Sequence, residues 1–342
     1  MRVWQISSFG IDKLEFTERP TPVPGPGEAL VKIHAISFNY RDLMVVKGTY
    51  NPKLKLPRIP CSDGAGEVIA VGDGVSLWKA GDRVAGIFMQ NWIDGPPTPE
   101  KTKGALGGDM DGMLAEYVVL HEKGLVEVPE HLSYQEAATL PCAAVTAWNA
   151  LAAADLKPGG TVLIQGTGGV SLFTLQLARL RGARVLGVSS SDEKLERAQE
   201  LGLDAGLNYK TTPDWARWAM DETDGEGVDL IVEVGGVGTL ARSLKAVKMG
   251  GTIAQVGVLT GSGSGPGLAP TEALPVSLIL HKQVRLRGIY VGSRQDFRDM
   301  NKAVSLGNLR PVGEDFPWTH AREVLARMEN GAHFGKLVMS VG

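Results

Sequence analysis

The amino-acid sequence predicts an α/β protein in which a parallel, helix-flanked sheet is combined with a second, β-rich part. The first observation is a strand–turn–helix–strand unit at Thr161–Lys194, whose length of about thirty residues is that of a βαβ crossover. The second is the alternation of strands and helices from about Ala143 to Tyr290, which favours a parallel sheet with right-handed crossovers. The third is a series of short apolar strands between the start of the chain and Leu120.

Length, composition and charge limit the class of protein. The chain has 342 residues, 43% of them hydrophobic and 21% charged, which predicts a globular protein of two domains. The net charge of −3 argues against nucleic acid or an anionic membrane as the main partner. No apolar run has membrane-spanning length, and Met1–Phe16 lacks the apolar core of a signal peptide. Two cysteines, Cys61 and Cys142, indicate a reducing cytoplasm.

The β-rich part is interrupted by turns and one long polar segment. Ser133 and Glu136 form a capping-box pattern that opens a helix, which we expect Pro141 to end. The segment Asn91–Met113 is rich in Gly and Pro and predicts a surface excursion or a substrate-side loop. Strands are expected at Ala29–Ile36, Gly66–Val71 and Glu116–Leu120, after a rigid connection at Pro20–Gly27.

The alternating middle continues beyond the glycine-rich unit and is followed by a short β–α–β tail. The stretch Thr260–Pro270 is of low complexity, and we expect it to be mobile. Helices are expected at Asp192–Leu201, Leu240–Val247 and Thr319–Asn330, and strands at Asp229–Val234, Thr252–Val258, Val284–Gly292 and Lys336–Val341.

The glycine-rich turn is typical of a dinucleotide site. The apolar strand Thr161–Gln165 is followed by Gly166, Gly168 and Gly169, and Val170 begins a helical apolar pattern. Glycines permit positive φ and close approach of a pyrophosphate, and the helix N-terminus supplies free N–H groups and a positive dipole end. The third glycine of the usual pattern is replaced by Ser171, so a glycine turn without a ligand is the alternative.

The end of the second strand indicates which dinucleotide binds. NAD-specific sites usually place an Asp or Glu there to hold the ribose hydroxyls, whereas this strand ends in Ser189, Ser190 and Ser191. Lys194 follows closely and would neutralise a 2′-phosphate. The sequence therefore predicts NADPH, with NADH less favoured. The alternative is that Lys194 is an ordinary exposed residue in the first turns of the next helix.

Four motifs in order resemble the medium-chain dehydrogenase/reductase superfamily, and specifically its zinc-free quinone oxidoreductase-like branch. They are PGPGEALVKIHAISFNYRDLMVVKGTY, PCSDGAGEVIAVGDGVSLWKAGDRV, LPCAAVTAWNAL and GTGGVSLFTLQLARLRGAR. The resemblance covers essentially the whole chain. It implies a Rossmann-type doubly wound parallel sheet, 144–290, inserted into a β-rich GroES-like catalytic domain formed by 1–143 and 291–342. It also implies an active site between the domains and a homodimer in which Val284–Val291 extends a sheet across the interface.

The resemblance also bears on metal binding. Zinc-dependent members hold the catalytic metal with Cys, His and Cys, backed by an acidic residue. Asn39 and Ser62 stand at the first two of these positions, Cys142 at the third and Asp63 at the acidic one. A catalytic zinc site needs three protein ligands, and 91–113 lacks the four cysteines of the structural zinc lobe. We therefore expect no metal, with Cys142 as a small buried apolar residue.

Candidate catalytic residues follow from the same alignment of motifs. Asn39, at a former ligand position, is expected to donate a hydrogen bond to a substrate carbonyl. Tyr40 and Tyr50 lie near it in sequence, and either phenol would serve as proton donor, with water as the alternative. A second alternative is that Asn39 bonds only its own loop and that the tyrosines are pocket walls.

The resemblance implies further contacts with the dinucleotide. Thr146 matches a threonine beside the nicotinamide, with an ordinary helix position as the alternative. Tyr209 and Lys194 match residues at the 2′-phosphate. Arg294 is equally consistent with a solvated surface charge. The remaining implied contacts are Gly235, Val256, Gly257, Val258, Ile289, Val291, Ser293 and Lys336.

Without a Lewis acid, a hydride acceptor must spread its negative charge by conjugation onto an oxygen held by hydrogen-bond donors. The sequence therefore predicts NADPH-dependent reduction of a small-molecule quinone or activated alkene. The alternatives are a metal-free carbonyl reductase or alcohol dehydrogenase, and a non-catalytic NADPH-binding protein.

Overall fold

The computed structural model describes residues 1–259 and 274–342, so the expected mobile stretch Thr260–Pro270 lies outside the described residues. The chain divides into two compact units. The first unit comprises Met1–Val145 and Val291–Gly342, and the second unit comprises Thr146–Tyr290. No helix within the described ranges combines the length and the apolar character that a bilayer crossing requires.

Fifteen strands and ten α-helices lie in the described part of the chain. The strands are β1 (Arg2–Ile6), β2 (Leu14–Glu18), β3 (Glu28–Phe38), β4 (Asp63–Val71), β5 (Arg83–Gly86), β6 (Tyr117–His121), β7 (Leu125–Glu127), β8 (Thr161–Gln165), β9 (Arg184–Ser189), β10 (Ala205–Asn208), β11 (Val228–Glu233), β12 (Val247–Gln255), β13 (Arg285–Gly288), β14 (Gly313–Pro317) and β15 (Lys336–Ser340). The helices are α1 (Tyr40–Val46), α2 (Tyr134–Ala138), α3 (Val145–Ala153), α4 (Gly169–Leu180), α5 (Asp192–Glu200), α6 (Trp215–Asp221), α7 (Leu240–Ala246), α8 (Val276–His281), α9 (Arg294–Leu306) and α10 (Ala321–Glu329).

The first unit is built on a seven-stranded sheet with β3 at its centre. The strand order is β14-β15-β3-β4-β5-β7, and β6 also pairs with β3. β15 runs antiparallel to β3, with Leu337 opposite Phe38. Lys336, the first residue of β15, therefore lies beside Asn39, the residue that follows β3. The apolar faces of these strands form a buried core around Phe38, Ile36 and Leu114.

The second unit is a six-stranded parallel sheet. Its order is β10-β9-β8-β11-β12-β13, which is the doubly wound order 3-2-1-4-5-6 of dinucleotide-binding folds. All five residues of β8 are buried, as expected for a strand covered on both faces. The predicted α/β class is confirmed, and the turn after β8 lies where the strand order reverses.

Several element boundaries differ from the prediction. Pro141 does not end the helical segment, because the chain continues through a π-helical turn, Leu140–Ala144, into α3. Pro141 stands in the first turn of that segment, where its missing N–H costs no helical hydrogen bond. The expected strand Val284–Gly292 is shortened to β13, and β12 starts five residues before the expected Thr252.

The segment Asn91–Met113 is only partly a surface excursion. Leu106 and Met113 are fully buried, and the backbone between them packs against Cys61. A Cβ on Gly112 would lie 2.1 Å from the Cys61 carbonyl oxygen, and Gly107 has a positive φ of 69°. The glycines that predicted a loop therefore allow the close packing of two backbones.

Candidate functional site

A buried polar cluster lies where β3, β4 and the π-helical turn meet in the first unit. The Asn39 amide donates to the Ser62 hydroxyl at 3.3 Å, and that hydroxyl donates to the Asp63 carboxylate at 2.6 Å. The second Asp63 oxygen accepts the backbone N–H of Cys142 at 3.1 Å. The three residues predicted at the former metal-ligand positions, Asn39, Ser62 and Cys142, are thus joined by hydrogen bonds through Asp63, the residue at the acidic position.

Local structure explains why these side chains converge. Asn39 follows the end of β3 and caps α1, while Ser62 directly precedes β4, which pairs with β3. Cys61 has a positive φ of 69°, which is uncommon for a residue with a Cβ and is typical of functional sites. This conformation turns the chain into β4 so that Ser62 and Asp63 face the end of β3.

Lys336 completes the cluster. It opens β15 with only 3% of its surface exposed, and its ammonium donates to the Phe38 carbonyl oxygen at 2.6 Å and to Asn39 Oδ1. Sequence reasoning assigned Lys336 to the dinucleotide and missed its place beside Asn39. The available signal was a single charged residue opening an apolar strand, KLVMS. We call Asn39, Ser62, Asp63, Cys142 and Lys336 the Lys336 cluster.

The electrostatics of the cluster do not suit a metal ion. Burial raises the pKa of the Cys142 thiol. The other side chains of the cluster offer an amide, a hydroxyl, an ammonium and one carboxylate, whereas a catalytic zinc site uses three Cys, His, Asp or Glu ligands. Burial also raises the pKa of Asp63, although the Lys336 ammonium and the Ser62 hydroxyl oppose the shift. A lysine ammonium bonded to Asn39 repels a divalent cation. The described part of the chain contains no group of three or more His, Cys, Asp or Glu side chains that could hold a metal ion.

Asp42 is a second fully buried carboxyl beside the cluster. One of its oxygens accepts the Asn39 backbone N–H at 2.8 Å, and the other lies 3.7 Å from the Arg41 guanidinium without a hydrogen bond. Burial raises the pKa of Asp42 to about 6, with the Arg41 charge opposing the shift. Asp42 and Asp63 both face the Lys336 side chain, whose charge lowers the pKa of each carboxyl against the effect of burial.

The two candidate phenols differ from Asn39 in exposure. Tyr40 and Tyr50 each expose about 40% of their surface, so both are open to solvent or to a ligand. The Arg41 guanidinium lies 5.1 Å from the Tyr50 ring centroid and 5.0 Å from the Phe88 centroid, and it donates to the Leu106 carbonyl. Arg41 therefore fixes the Tyr50 ring through a cation–π contact.

The glycine turn of the second unit fits a dinucleotide pyrophosphate. Gly166 has a φ of 71°, and a Cβ on either Gly166 or Gly168 would meet no atom within 4 Å. Gly168 caps the twelve-residue α4, and no side chain accepts a hydrogen bond from the first turn. The N–H groups of Gly169 and Val170 belong to the first turn of α4, whose N–H groups have no intrahelical partner. A helix N-terminus of this kind is a ready anion site.

A buried network behind this turn was not predicted. The Glu233 carboxylate accepts hydrogen bonds from the Gln165 amide at 2.8 Å, from the N–H groups of Gly235 and Gly236 at 2.8 and 3.0 Å, and from the Thr239 and Ser243 hydroxyls. Gln165 ends β8 and Glu233 ends β11, so the network locks together the two loops at the centre of the sheet. Polar residues closing two apolar strands were the signal that could have revealed it.

The residues predicted at the 2′-phosphate gather at the carboxyl ends of β9 and β10. Ser189 ends β9, and its carbonyl accepts the Tyr209 N–H at 3.0 Å. Ser190 follows and is half-buried, and Ser191 caps α5 by accepting the Lys194 N–H. Tyr209 directly follows β10 and exposes 41% of its surface. No acidic side chain ends β9.

The other predicted dinucleotide contacts in the second unit lie in α3 and after the ends of three strands. Thr146 is buried in the first turn of α3. Gly235, Val256, Gly257, Val258 and Ile289 follow the ends of β11, β12 and β13 in the second unit. A Cβ on Gly257 would lie 2.3 Å from the Val234 carbonyl oxygen, so this turn requires glycine.

Four predicted contacts belong to the first unit: Lys336, described above, and Val291, Ser293 and Arg294. The Ser293 hydroxyl is used in a capping box with Asp296 at the start of α9. The Arg294 guanidinium donates to the Leu125 carbonyl at 2.7 Å, and burial lowers its pKa. Arg294 is half-buried and is anchored to β7 by this hydrogen bond. Val291 is buried and has a positive φ of 55°.

Comparisons with known proteins agree with this architecture. Residues 25–130 match the alcohol dehydrogenase GroES-like domain, and residues 169–305 match the zinc-binding dehydrogenase family. A zinc-type alcohol dehydrogenase-like protein of Schizosaccharomyces pombe is 43% identical over 98% of this chain and 97% of its own length. The structure of an NAD-dependent alcohol dehydrogenase is 33% identical, with a TM-score of 0.89 over all of both chains.

The names of two further relatives give substrates other than alcohols. An acryloyl-coenzyme A reductase of Metallosphaera sedula is 28% identical over 87% of both chains. The quinone oxidoreductase structure from Coxiella burnetii is 27% identical, with a TM-score of 0.79 over 100% of this chain and 99% of its own.

The chain belongs to the medium-chain dehydrogenase/reductase superfamily. Its first unit contains the GroES-like domain, and its second unit is the Rossmann-type dinucleotide domain of that superfamily. The protein is therefore an oxidoreductase, and the class of cofactor used by its relatives is a nicotinamide dinucleotide.

The buried Asp42 carboxyl predicts a pH-dependent stability. Its pKa is raised from 3.8 to about 6. Between these two pH values, the folded protein keeps a proton on Asp42 that the unfolded chain has released. The contribution to folding is fully present below pH 3.8 and is lost as the pH rises through 6. The wild type should therefore lose about 3 kcal/mol of unfolding free energy between low and neutral pH through this group. Asp42→Asn has no such carboxyl, so its unfolding free energy should rise by about 3 kcal/mol relative to that of the wild type over the same pH range. Urea unfolding at a series of pH values measures this difference.

The matched control is Asp94→Asn, at a carboxylate whose side chain is 75% exposed, which should leave the pH profile unchanged. Parallel profiles for wild type and Asp42→Asn would contradict the buried-carboxyl explanation.

Proposed function

We propose that this protein is a zinc-independent, NADPH-dependent oxidoreductase that transfers hydride to a quinone or to an activated C=C bond of an enone or enal. The observation that carries the proposal is the Lys336 ammonium bonded to Asn39, at the position that the metal-binding relatives of the superfamily reserve for a zinc ligand. The proposal also assigns the chain to the zinc-free branch of the superfamily.

The described residues provide no set of metal ligands, and this favours a particular class of hydride acceptor. Oxidation of an isolated alcohol requires a group that lowers the pKa of the hydroxyl, and zinc does so as a Lewis acid. A conjugated acceptor does not need this, because the incoming electron pair moves onto an oxygen that hydrogen-bond donors stabilise. Relatives named as an acryloyl-coenzyme A reductase and a quinone oxidoreductase support this class of acceptor.

The NADPH assignment is supported by the polar group at the ends of β9 and β10. Ser189 and Ser190 carry no charge that would repel a 2′-phosphate. Lys194 in the first turn of α5 and Tyr209 directly after β10 supply a cation and a phenol. The dinucleotide supplies the hydride when bound, while Gly166, Gly168 and the first turn of α4 hold its pyrophosphate.

Lys194→Gln tests the cofactor assignment. Loss of one charge-assisted bond to the 2′-phosphate should raise the KM for NADPH about tenfold and leave the KM for NADH unchanged. Steady-state kinetics with both cofactors measures the ratio. Lys210→Gln, two residues beyond β10, is the control and should change neither KM. Equal effects of Lys194→Gln on both cofactors would remove Lys194 from the 2′-phosphate site.

Substrate profile tests the reaction class. The purified protein, assayed with NADPH in the presence of a chelator, should reduce a simple quinone or an enone with a kcat/KM at least tenfold above that for a plain ketone. The rate should be unaffected by added zinc. Activity with ketones alone, or only after zinc is added, would contradict the proposal.

Two other functions remain to be compared in the same assay. A metal-free carbonyl reductase or alcohol dehydrogenase is favoured by the names of several relatives, including the 33% identical structure, and would prefer plain ketones. A non-catalytic NADPH-binding protein would bind the dinucleotide without oxidising it. Against the latter, the first unit exposes two phenols, Tyr40 and Tyr50, close in sequence to Asn39.

We further propose a cytoplasmic homodimer. A reducing compartment is supported by Cys61 and Cys142, neither of which forms a disulfide. Dimerisation is supported by β13, which is an edge strand of the second unit and exposes Leu286; Val276 and Leu280 of α8 are also exposed. An open edge with apolar side chains is usually covered by another strand.

Leu286→Glu should convert the dimer to a monomer, because it places a like charge from each copy at the shared edge. Light scattering after size-exclusion chromatography gives the mass. Leu306→Glu, at a residue of α9 that is 90% exposed, is the matched control and should stay dimeric. A monomeric wild type would overturn the dimer.

A further inference from the structure

Lys336 occupies an unusual position for a lysine. Only 3% of its surface is exposed, although lysine is almost never fully buried unless paired. The register of β15 against β3 brings its side chain to the end of β3, where two acceptors, the Phe38 carbonyl and Asn39 Oδ1, receive hydrogen bonds from its ammonium.

The ammonium has one donor more than the described residues use. A lysine ammonium carries three N–H groups, and the residues described in the structure provide acceptors for two of them. The Asp63 oxygens accept from Ser62 and from the Cys142 N–H, and among the described residues no hydrogen bond joins either oxygen to Lys336. The third N–H of Lys336 is the donor that a ligand oxygen would use.

Asn39 is less suited to this task than sequence reasoning suggested. Its Oδ1 accepts from Lys336, and its amide nitrogen donates to Ser62 at 3.3 Å. The same amide also favours the charged form of Asp63 and lowers its pKa against the effect of burial. Asn39 is thus engaged within the cluster and orients Lys336.

We infer that Lys336 is a catalytic residue whose third N–H donates a hydrogen bond to the oxygen on which negative charge develops in the hydride acceptor. This inference rests on the proposed function. It assigns to the Lys336 ammonium the stabilisation of negative charge that a Lewis-acid metal ion would otherwise provide. A desolvated cation at a fixed position stabilises such an oxyanion more than a solvated one does.

The reaction balances without any change at Lys336. The β-carbon of an enone accepts hydride from the reduced nicotinamide, and the π electron pair of the C=C bond moves through the carbonyl to its oxygen. The resulting enolate, held by Lys336, takes one proton from solvent at its α-carbon. The products are the saturated ketone and NADP⁺, and Lys336 remains an ammonium throughout.

Lys336→Met keeps the length and the apolar stem but removes the charge and the donors. We expect kcat for the enone to fall about 100-fold, as on loss of an oxyanion-hole donor, with the KM for NADPH within twofold of wild type. Lys32→Met, at an exposed position of β3, is the matched control and should retain full activity. Turnover by Lys336→Met within threefold of wild type would overturn the inference and leave the proposed function intact.

A binding experiment separates oxyanion stabilisation from hydride transfer and from folding. The wild-type protein saturated with NADP⁺ is titrated with 4-nitrophenol, whose phenolate absorbs visible light. If Lys336 stabilises an oxyanion, the pKa of the bound phenol falls by at least about one unit, equivalent to a tenfold preference for the phenolate. A wild type that binds the phenol without this shift, or does not bind it, overturns the inference.

The two proposals fail differently. A wild type that reduces neither enones nor quinones overturns the proposed function, whatever the phenol shows. A wild type that reduces enones but leaves the phenol pKa unchanged overturns only the role of Lys336. If Lys336→Met does not fold, as thermal melting would show, the phenol titration on the wild type decides.

Discussion

The hydrogen bond between the Lys336 ammonium and Asn39 Oδ1 is the interaction on which the first unit's polar interior depends. Two carboxyls, Asp42 and Asp63, are buried beside it, and an isolated buried carboxylate is costly. The Lys336 charge lowers the pKa of both carboxyls against the effect of burial. The strand register of β15 on β3 holds this cation in place, so the sheet itself determines the electrostatics of the cluster.

The second unit also contains a buried charged side chain that is held by hydrogen bonds, the Glu233 carboxylate. Its sheet must present flexible glycine loops at the centre of the fold, yet keep them in one arrangement. Glu233 does this by accepting five hydrogen bonds that tie Gln165 to the loop after β11. Backbone freedom at Gly166 and Gly168 is thereby combined with a rigid support behind them, which is what close approach of a phosphate requires.

Much of the fold could be predicted because its signals are local. The buried strand β8, the glycine turn and α4 follow directly from apolar runs and glycine spacing. Boundaries were less accurate where local rules compete, as at Pro141, whose ring fits the first turn of a π-helix. The segment 91–113 has no helix or strand, as its glycines predicted. Its partial burial was not predicted, because Gly107 and Gly112 serve a backbone-to-backbone contact with Cys61.

The candidate site was harder, since its decisive contact joins residues nearly three hundred positions apart. Asn39 and Lys336 were both identified, but no sequence pattern states that one bonds the other. Only the antiparallel register of β3 and β15, with Leu337 opposite Phe38, brings them together. Such a register depends on the packing of two strands from opposite ends of the chain, which periodicity alone does not determine.

This arrangement also explains why a single lysine and a zinc ion favour different chemistry. A zinc ion binds an alkoxide directly and lowers the pKa of its precursor, whereas an ammonium only donates a hydrogen bond and a unit charge. That weaker stabilisation suits an oxyanion already delocalised by conjugation, such as an enolate or a hydroquinone anion. Asp42 and Asp63 lie beside the same ammonium, whose charge lowers the pKa of both carboxyls against the effect of burial. Under the proposed function, a conjugated oxyanion is therefore the kind of acceptor that this one shared cation would stabilise.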